Sequence, residues 1–132
     1  MAEDKGWILD ELVRMPAIRT AVVASGDGML IAHEKGLPRD DAERWAAASA
    51  VLQSCARNGM EPVGYPAAGF RRTVVEHEQG YQLVQEAANG AYLVVATGPD
   101  ADLGVVAVRM QEVTQRLGKE LVSPARRATG PQ

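Results

Sequence analysis

The stretch most suggestive of chemistry is Ser25-Gly26-Asp27-Gly28, a polar, glycine-rich break between two apolar runs at residues 21–24 and 29–32. A phosphate-cradling loop needs several backbone N–H groups converging on an anion at a helix start, usually with a lysine close behind. Here the break leads into Met29-Leu30-Ile31-Ala32, a strand pattern, and Ile31 occupies the third glycine position of the dinucleotide-binding spacing. No Gly-Lys-Ser/Thr occurs in the chain. Asp-Gly and Gly-Asp both supply the positive φ angles of primed two-residue turns, so the break reads as the turn of a hairpin.

Other chemistry-bearing side chains do not assemble along the sequence. His33 and His77 each fall at an expected strand end, in neither a His-x-His nor a Cys/His spacing that would hold a metal. Cys55, the single cysteine, lies mid-helix beside Val51 and Leu52 and reads as a small buried hydrophobe. Ser25, Ser49, Ser54 and Ser123 lie in a turn, on a helix and at a frayed end, none in a Gly-x-Ser-x-Gly elbow. The acidic pairs Asp10-Glu11, Asp40-Asp41 and Glu76/Glu78 suit helix starts and turns better than a general acid/base pair drawn from two walls of a pocket. The expectation is no catalytic residue, no metal site and no cofactor.

The totals narrow the class further. With 132 residues, 46% hydrophobic and 23% charged, the chain suits one globular domain, expected at 1–122, followed by a tail at 123–132 too polar to order itself. A net charge of -3 carries no electrostatic footprint for nucleic acid. The lone cysteine and the lack of an apolar leader point to the cytoplasm. No run approaches the roughly 20 apolar residues of a membrane span, so a membrane is reached only indirectly, through a partner.

The elements that would position these residues follow from periodicity. Residues 4–15 form an amphipathic helix with Ile8, Leu9, Leu12, Val13 and Met15 on one face, closed by Pro16. The hairpin at 17–34 follows, its strands nearly continuous in Ala, Val, Leu and Ile, which implies cover on both sheet faces. A long helix capped by Asp40 or Asp41 runs to Asn58-Gly59. A connection at 61–69 with two prolines and two glycines is expected to be mobile, and strands at 70–76, 81–87 and 92–97 form a meander. A last helix capped by Asp100 or Asp102 buries Leu103, Val106, Ala107, Met110, Val113, Leu117 and Leu121. The order αββαβββα implies a three-layer α-β-α sandwich with a five-stranded antiparallel sheet.

On the middle helix, a rotation of about 100° per residue gathers Trp45, Ala48, Val51, Leu52, Cys55 and Ala56 into an apolar arc expected to face the sheet. The opposite side then carries Ala46, Ala47 and Ala50 among Glu43, Gln53, Ser54 and Arg57. Small side chains there reflect either helix propensity or a face on which another helix docks. The strand at 70–76 is expected at a sheet edge, where Arg71 and Arg72 suit protection, and Thr73, Val74 and Val75 suit pairing with a twin strand.

Four segments, "LDELVRMPAIRTAVVASGDGMLIA", "GLPRDDAERWAAASAVLQSCA", "RRTVVEHEQGYQLVQEAANGAYLVVAT" and "ADLGVVAVRMQEVTQRLG", together resemble in order and spacing the roadblock/dynein light chain family. The resemblance is strongest to its bacterial branch, which includes a gliding-motility polarity protein and the Streptomyces conservon proteins. It implies a non-enzymatic homodimer that pairs middle helices and third strands and serves a small Ras-like GTPase as regulator or platform. Stimulated GTP hydrolysis and a sensor-kinase-like second partner are the finer implications. Mapped onto this chain, the dimer or partner interface would involve Glu43, Ala46, Ala47, Ala50, Gln53, Ser54, Arg57, Arg71, Thr73 and Val75. The alternative is a small-molecule-sensing α/β domain without a GTPase partner, against which the 5% aromatic content argues mildly.

Overall fold

The computed structural model describes residues 3–129, with side-chain environments for residues 6–119. Helix α1 (Glu3–Leu12) leads into strands β1 (Ile18–Ala24) and β2 (Leu30–His33), then helix α2 (Arg39–Gly59). Strands β3 (Arg72–His77), β4 (Gly80–Glu86) and β5 (Tyr92–Thr97) follow, and helix α3 (Leu103–Thr129) ends the fold. The five strands form one antiparallel sheet in the order β2-β1-β5-β4-β3, so the expected αββαβββα sandwich is what forms. Two strands are edges, β2 and β3.

Near-continuous apolar strands make sense because both faces are covered. Ala21, Val23, Leu83, Leu93 and Val95 meet Ile8, Leu9 and Leu12 of α1 and Val106, Met110, Val113 and Leu117 of α3. On the other face Val22, Val84, Tyr92 and Val94 meet Ala42 and Ala50 of α2. Each fully buried Leu or Val contributes about 1.5–3 kcal/mol, so the thicker α1/α3 layer carries most of the apolar stabilisation. The thinner α2 layer depends on close approach of small side chains.

Several boundaries differ from expectation for physical reasons. Pro38 precedes α2 with no side-chain cap, and Asp40 and Asp41 lie inside the first turn, where their charges still complement the helix dipole. Asp102 does cap α3, its carboxylate accepting from the N–H groups of Gly104 at 3.0 Å and Val105 at 3.3 Å. That helix is helical backbone through Thr129, beyond the tail start expected at Ser123; the side chain of Leu121 and residues 130–132 lie outside the described residues. Residues 61–69, expected to be a mobile connection, contain 3₁₀ turns at Glu61–Val63 and Ala67–Gly69.

The Ser25–Gly28 hairpin is a three-residue connection and not the primed two-residue turn. Ser25 N–H donates to the Met29 carbonyl at 2.8 Å, Gly28 N–H to the Ser25 carbonyl at 3.0 Å, and Met29 N–H to Ser25 Oγ at 3.0 Å. Only Gly28 in this loop has positive φ, 91°, the signature of a type I turn followed by a glycine bulge. A β-carbon on Gly28 would lie 3.3 Å from Ala47 Cα. The loop braces α2, and its N–H groups serve the turn, so they do not converge on an anion.

Candidate interaction surface

Helix α2 meets the sheet through the face opposite to the one its apolar arc suggests. Ala42, Ala46, Ser49, Ala50 and Gln53 are the buried residues. Trp45, Leu52 and Ala56 flank them half-buried, while Ala48, Val51 and Cys55 are exposed, Val51 at 64%. The cause lies in the strands beneath. Gln82, Thr73 and Glu86 project toward α2, so a purely apolar helix face there would leave them unpaired. Ser49 Oγ instead accepts from Gln82 Nε2 at 2.8 Å, Gln53 Oε1 accepts from Thr73 Oγ1 at 2.8 Å, and Arg57 Nη1 donates to Glu86 Oε1 at 3.2 Å. These three partners recur every fourth residue along α2, one stripe of the helix.

The candidate interface residues therefore separate. Ala46, Ala50 and Gln53 lie under the helix against the sheet and are corrected from a solvent face to the core. Ser54, Arg57 and Thr73 are half-buried; Glu43, Ala47, Arg71 and Val75 are exposed. Glu43 pairs with Arg39 at 3.1 Å, an exposed i,i+4 ion pair worth a few tenths of a kcal/mol. The residues missed as a surface are Ala48, Val51, Leu52 and Cys55, and the polar character of Gln82 and Thr73 was the sequence signal that could have found them. Cys55 is an exposed free thiol, not a core residue.

Strand β3 is an open edge, as expected, with Val74 46% and Val75 37% exposed. Its start lies under the C-terminal half of α2, through Gln53 and Thr73, and its end under the N-terminal half. There a cavity of about 530 Å³ is lined by Leu37, Asp41 and Trp45 of the α2 region and by Val75, His77 and Gln82 of the sheet. The exposed apolar strip of α2 and the unpaired edge thus meet on one side of the molecule. A second cavity of about 520 Å³ at the start of β3 is lined by Arg57, Tyr65, Phe70, Arg71 and Arg72.

The chemistry-bearing groups stay dispersed. His33 Nδ1 sits 3.1 Å from the Glu34 carbonyl, and His77 Nδ1 accepts from Gln79 N–H at 3.1 Å. Among the described residues no cluster of three or more His, Cys, Asp or Glu side chains could hold a metal ion. No described helix is long and apolar enough to cross a membrane. The Glu11 carboxyl is held below its ordinary value chiefly by a hydrogen bond from Arg116, and it ties α1 to α3, away from β3 and α2.

These features define a three-layer α/β/α domain whose distinguishing surface is an unpaired edge strand beside an apolar helix strip. Residues 5–97 match the Roadblock/LC7 domain family, and the chain belongs to it. A Roadblock/LC7 domain from Streptomyces avermitilis is 29% identical, with TM-score 0.81, covering 88% of this chain and 96% of that one. A second from the same organism is 34% identical, with TM-score 0.64 over 84% and 95%. MglB of Myxococcus xanthus shares the fold at 17% identity, with TM-score 0.79 over 92% and 90%. No functionally curated protein matches the sequence.

Proposed function

We propose that the protein is a self-associating, non-catalytic regulator or scaffold for a small Ras-like GTPase. The observation that carries this reading is the continuity of the apolar α2 strip (Trp45, Ala48, Val51, Leu52) with the unpaired β3 edge. Two copies related by a twofold axis would cover both at once and build a surface that neither has alone. Family membership supports a regulatory role, and an MglB of this fold, 23% identical, has been solved with a tetrameric arrangement. Any stimulation of hydrolysis would act by reshaping the GTPase's own site. A sensor-kinase-like protein is the second proposed partner, and a cytoplasmic protein reaching membranes only through partners is the setting.

The cavity beside Trp45 gives the small-molecule reading a structural foothold. It opens on the same side as β3, however, which fits a place at the interface better than an enclosed ligand site. The test is to measure solution mass, then binding to a Ras-like GTPase of the same genome loaded with GDP or a GTP analogue. Nucleotide-dependent binding of a dimer is expected. A monomer at micromolar concentration, or no complex in either nucleotide state, would overturn the proposal.

A further inference from the structure

We propose that the cavity between the end of α2 and the start of β3 binds a small aromatic carboxylic acid, its ring held by Tyr65 and Phe70 and its carboxylate by Arg57 and Arg71. This goes beyond the self-association proposed above and does not rest on it. The cavity, of about 520 Å³, is lined by Arg57, Met60, Tyr65, Gly69, Phe70 and Arg71, and small-molecule sites occupy roughly 300–1,000 Å³. Among the described residues no acidic side chain lines it. The cavity beside Trp45, by contrast, sets Asp41 against Arg19 and so favours neither sign of charge.

The wall of this cavity is preformed. Residues 60–70 fold back on themselves: the Val63 and Tyr65 N–H groups both donate to the Met60 carbonyl at 3.2 Å, and those of Gly69 and Phe70 donate to the Pro66 and Ala67 carbonyls at 3.1 Å. These bonds fix the backbone that carries Tyr65 and Phe70, so little order remains to be imposed when a ligand arrives. Met60 and Tyr65 nonetheless stay 39% and 59% exposed, apolar surface that a bound ring would cover.

Sheet register then sorts the arginines. Arg72 stands opposite Gln85, and its Nε donates to Gln85 Oε1 at 3.3 Å; Gln85 in turn reaches Thr114 of α3, so that guanidinium is drawn to the α3 side. Thr73 points the other way, to Gln53 of α2. Phe70 is extended, with φ -69° and ψ 135°, so strand alternation puts Arg71 on the same side as Thr73, the side of Arg57. Arg57 commits one N–H group to Glu86 at 3.2 Å, whereas Arg71 is exposed and makes no ion pair among the described residues. One cation is thus offset and one is not. A single carboxylate matches that balance better than a dianionic phosphate, and its two oxygens suit the guanidinium fork.

The experiment titrates β-naphthoate, its neutral isostere β-naphthamide and acetate into the full chain and follows the backbone amides by NMR. The naphthoate is expected to shift Tyr65, Gly69, Phe70 and Arg71 with a Kd at or below about 1 mM, and to bind about tenfold tighter than either of the others. Arg71→Gln should weaken it about tenfold. A β-carbon on Gly69 meets nothing within 4 Å, and the backbone there is not left-handed. Gly69→Leu should therefore leave the melting temperature close to the parent's while obstructing the cavity and abolishing the shifts. Naphthamide binding as tightly as naphthoate overturns the role of the arginines, and acetate binding as tightly overturns that of the rings. No shift at those four amides, or tighter binding of a peptide that ends in a free phenylalanine carboxylate, overturns the assignment of the cavity to a small molecule.

Discussion

Thr73 Oγ1 on the edge strand β3 donates to Gln53 Oε1 on α2 at 2.8 Å, joining the two elements that border the open side of the molecule. Gln53 is fully buried, and its Nε2 has no partner among the described residues. A satisfied hydrogen bond contributes about 1 kcal/mol, while a buried unpaired donor costs about 1–3 kcal/mol. Gln53→Leu loses one and relieves the other, so its stability is expected within about 1 kcal/mol of the parent. Gln53→Ala also opens a cavity and should cost about 2 kcal/mol or more. Urea midpoints measure both; a leucine variant as damaged as the alanine one would mean that the hydrogen bond to Thr73 dominates.

The two alanine positions of α2 separate folding from association. Ala46 is fully buried against the sheet, whereas Ala48, two residues on, is exposed. Ala46→Leu must fit three more carbons into a fully buried site and is expected to cost about 1–3 kcal/mol. Ala48→Arg should leave thermal stability of the protomer within about 0.5 kcal/mol and abolish self-association, by placing a charge in the apolar strip. Melting curves with light scattering read the two effects apart. An Ala48→Arg chain that still dimerises would remove α2 from the interface.

How much of this was legible beforehand depended on where packing overrides pattern. The layer order, the sheet and the β3 edge follow from apolar runs and turn chemistry, and β5 begins and ends at the expected Tyr92 and Thr97. The α1 and α3 faces were legible too, because Ile8, Leu9, Leu12, Val106, Met110, Val113 and Leu117 recur at helical spacing and the sheet beneath them is apolar. The face of α2 was not. Assigning the larger apolar arc to the core assumes a wholly apolar floor, and Gln82, Thr73 and Glu86 make part of that floor polar. The small residues taken for a docking surface are what let the helix approach; of the large ones, Trp45 and Leu52 flank the contact half-buried and Val51 is left at the outer side. Which residues of an alternating strand point where requires the register, and short-range sequence signals do not supply it.

Gly80 opens β4 immediately after the turn that ends β3. Its φ is 155°, and a β-carbon there would come 1.9 Å from the Thr97 carbonyl oxygen, a backbone atom on the neighbouring chain segment. Since neither side can rotate away, Gly80→Ala should displace the β3–β4 turn and cost about 3 kcal/mol or more. The acidic end of β3 is carried on that turn, so association should weaken along with stability. Gly59→Ala, where nothing lies within 4 Å of the added carbon, serves as the control and should be close to neutral. Equal midpoints for the two variants in denaturant would refute the close approach.

Glu11 links the first and last helices. Its carboxylate accepts a hydrogen bond from Arg116 and lies 3.8 Å from Arg109, while the Arg116 guanidinium sits 4.9 Å from the centre of the Trp7 ring. The Arg116 hydrogen bond, aided by the positive charges of Arg116, Arg109 and Arg14 and opposed by burial, holds the carboxyl below its ordinary value. A folded-state value below the unfolded one, about 4.3, means that the group stabilises the fold fully above that pH. The contribution is lost as pH falls through the lowered folded value. Glu11→Gln should therefore be less stable than the parent by a constant amount above about pH 5, with the gap closing as the pH falls below the unfolded value. Urea unfolding across that range tests this, and a gap that stays constant in acid would show that the ion pair does not persist in solution.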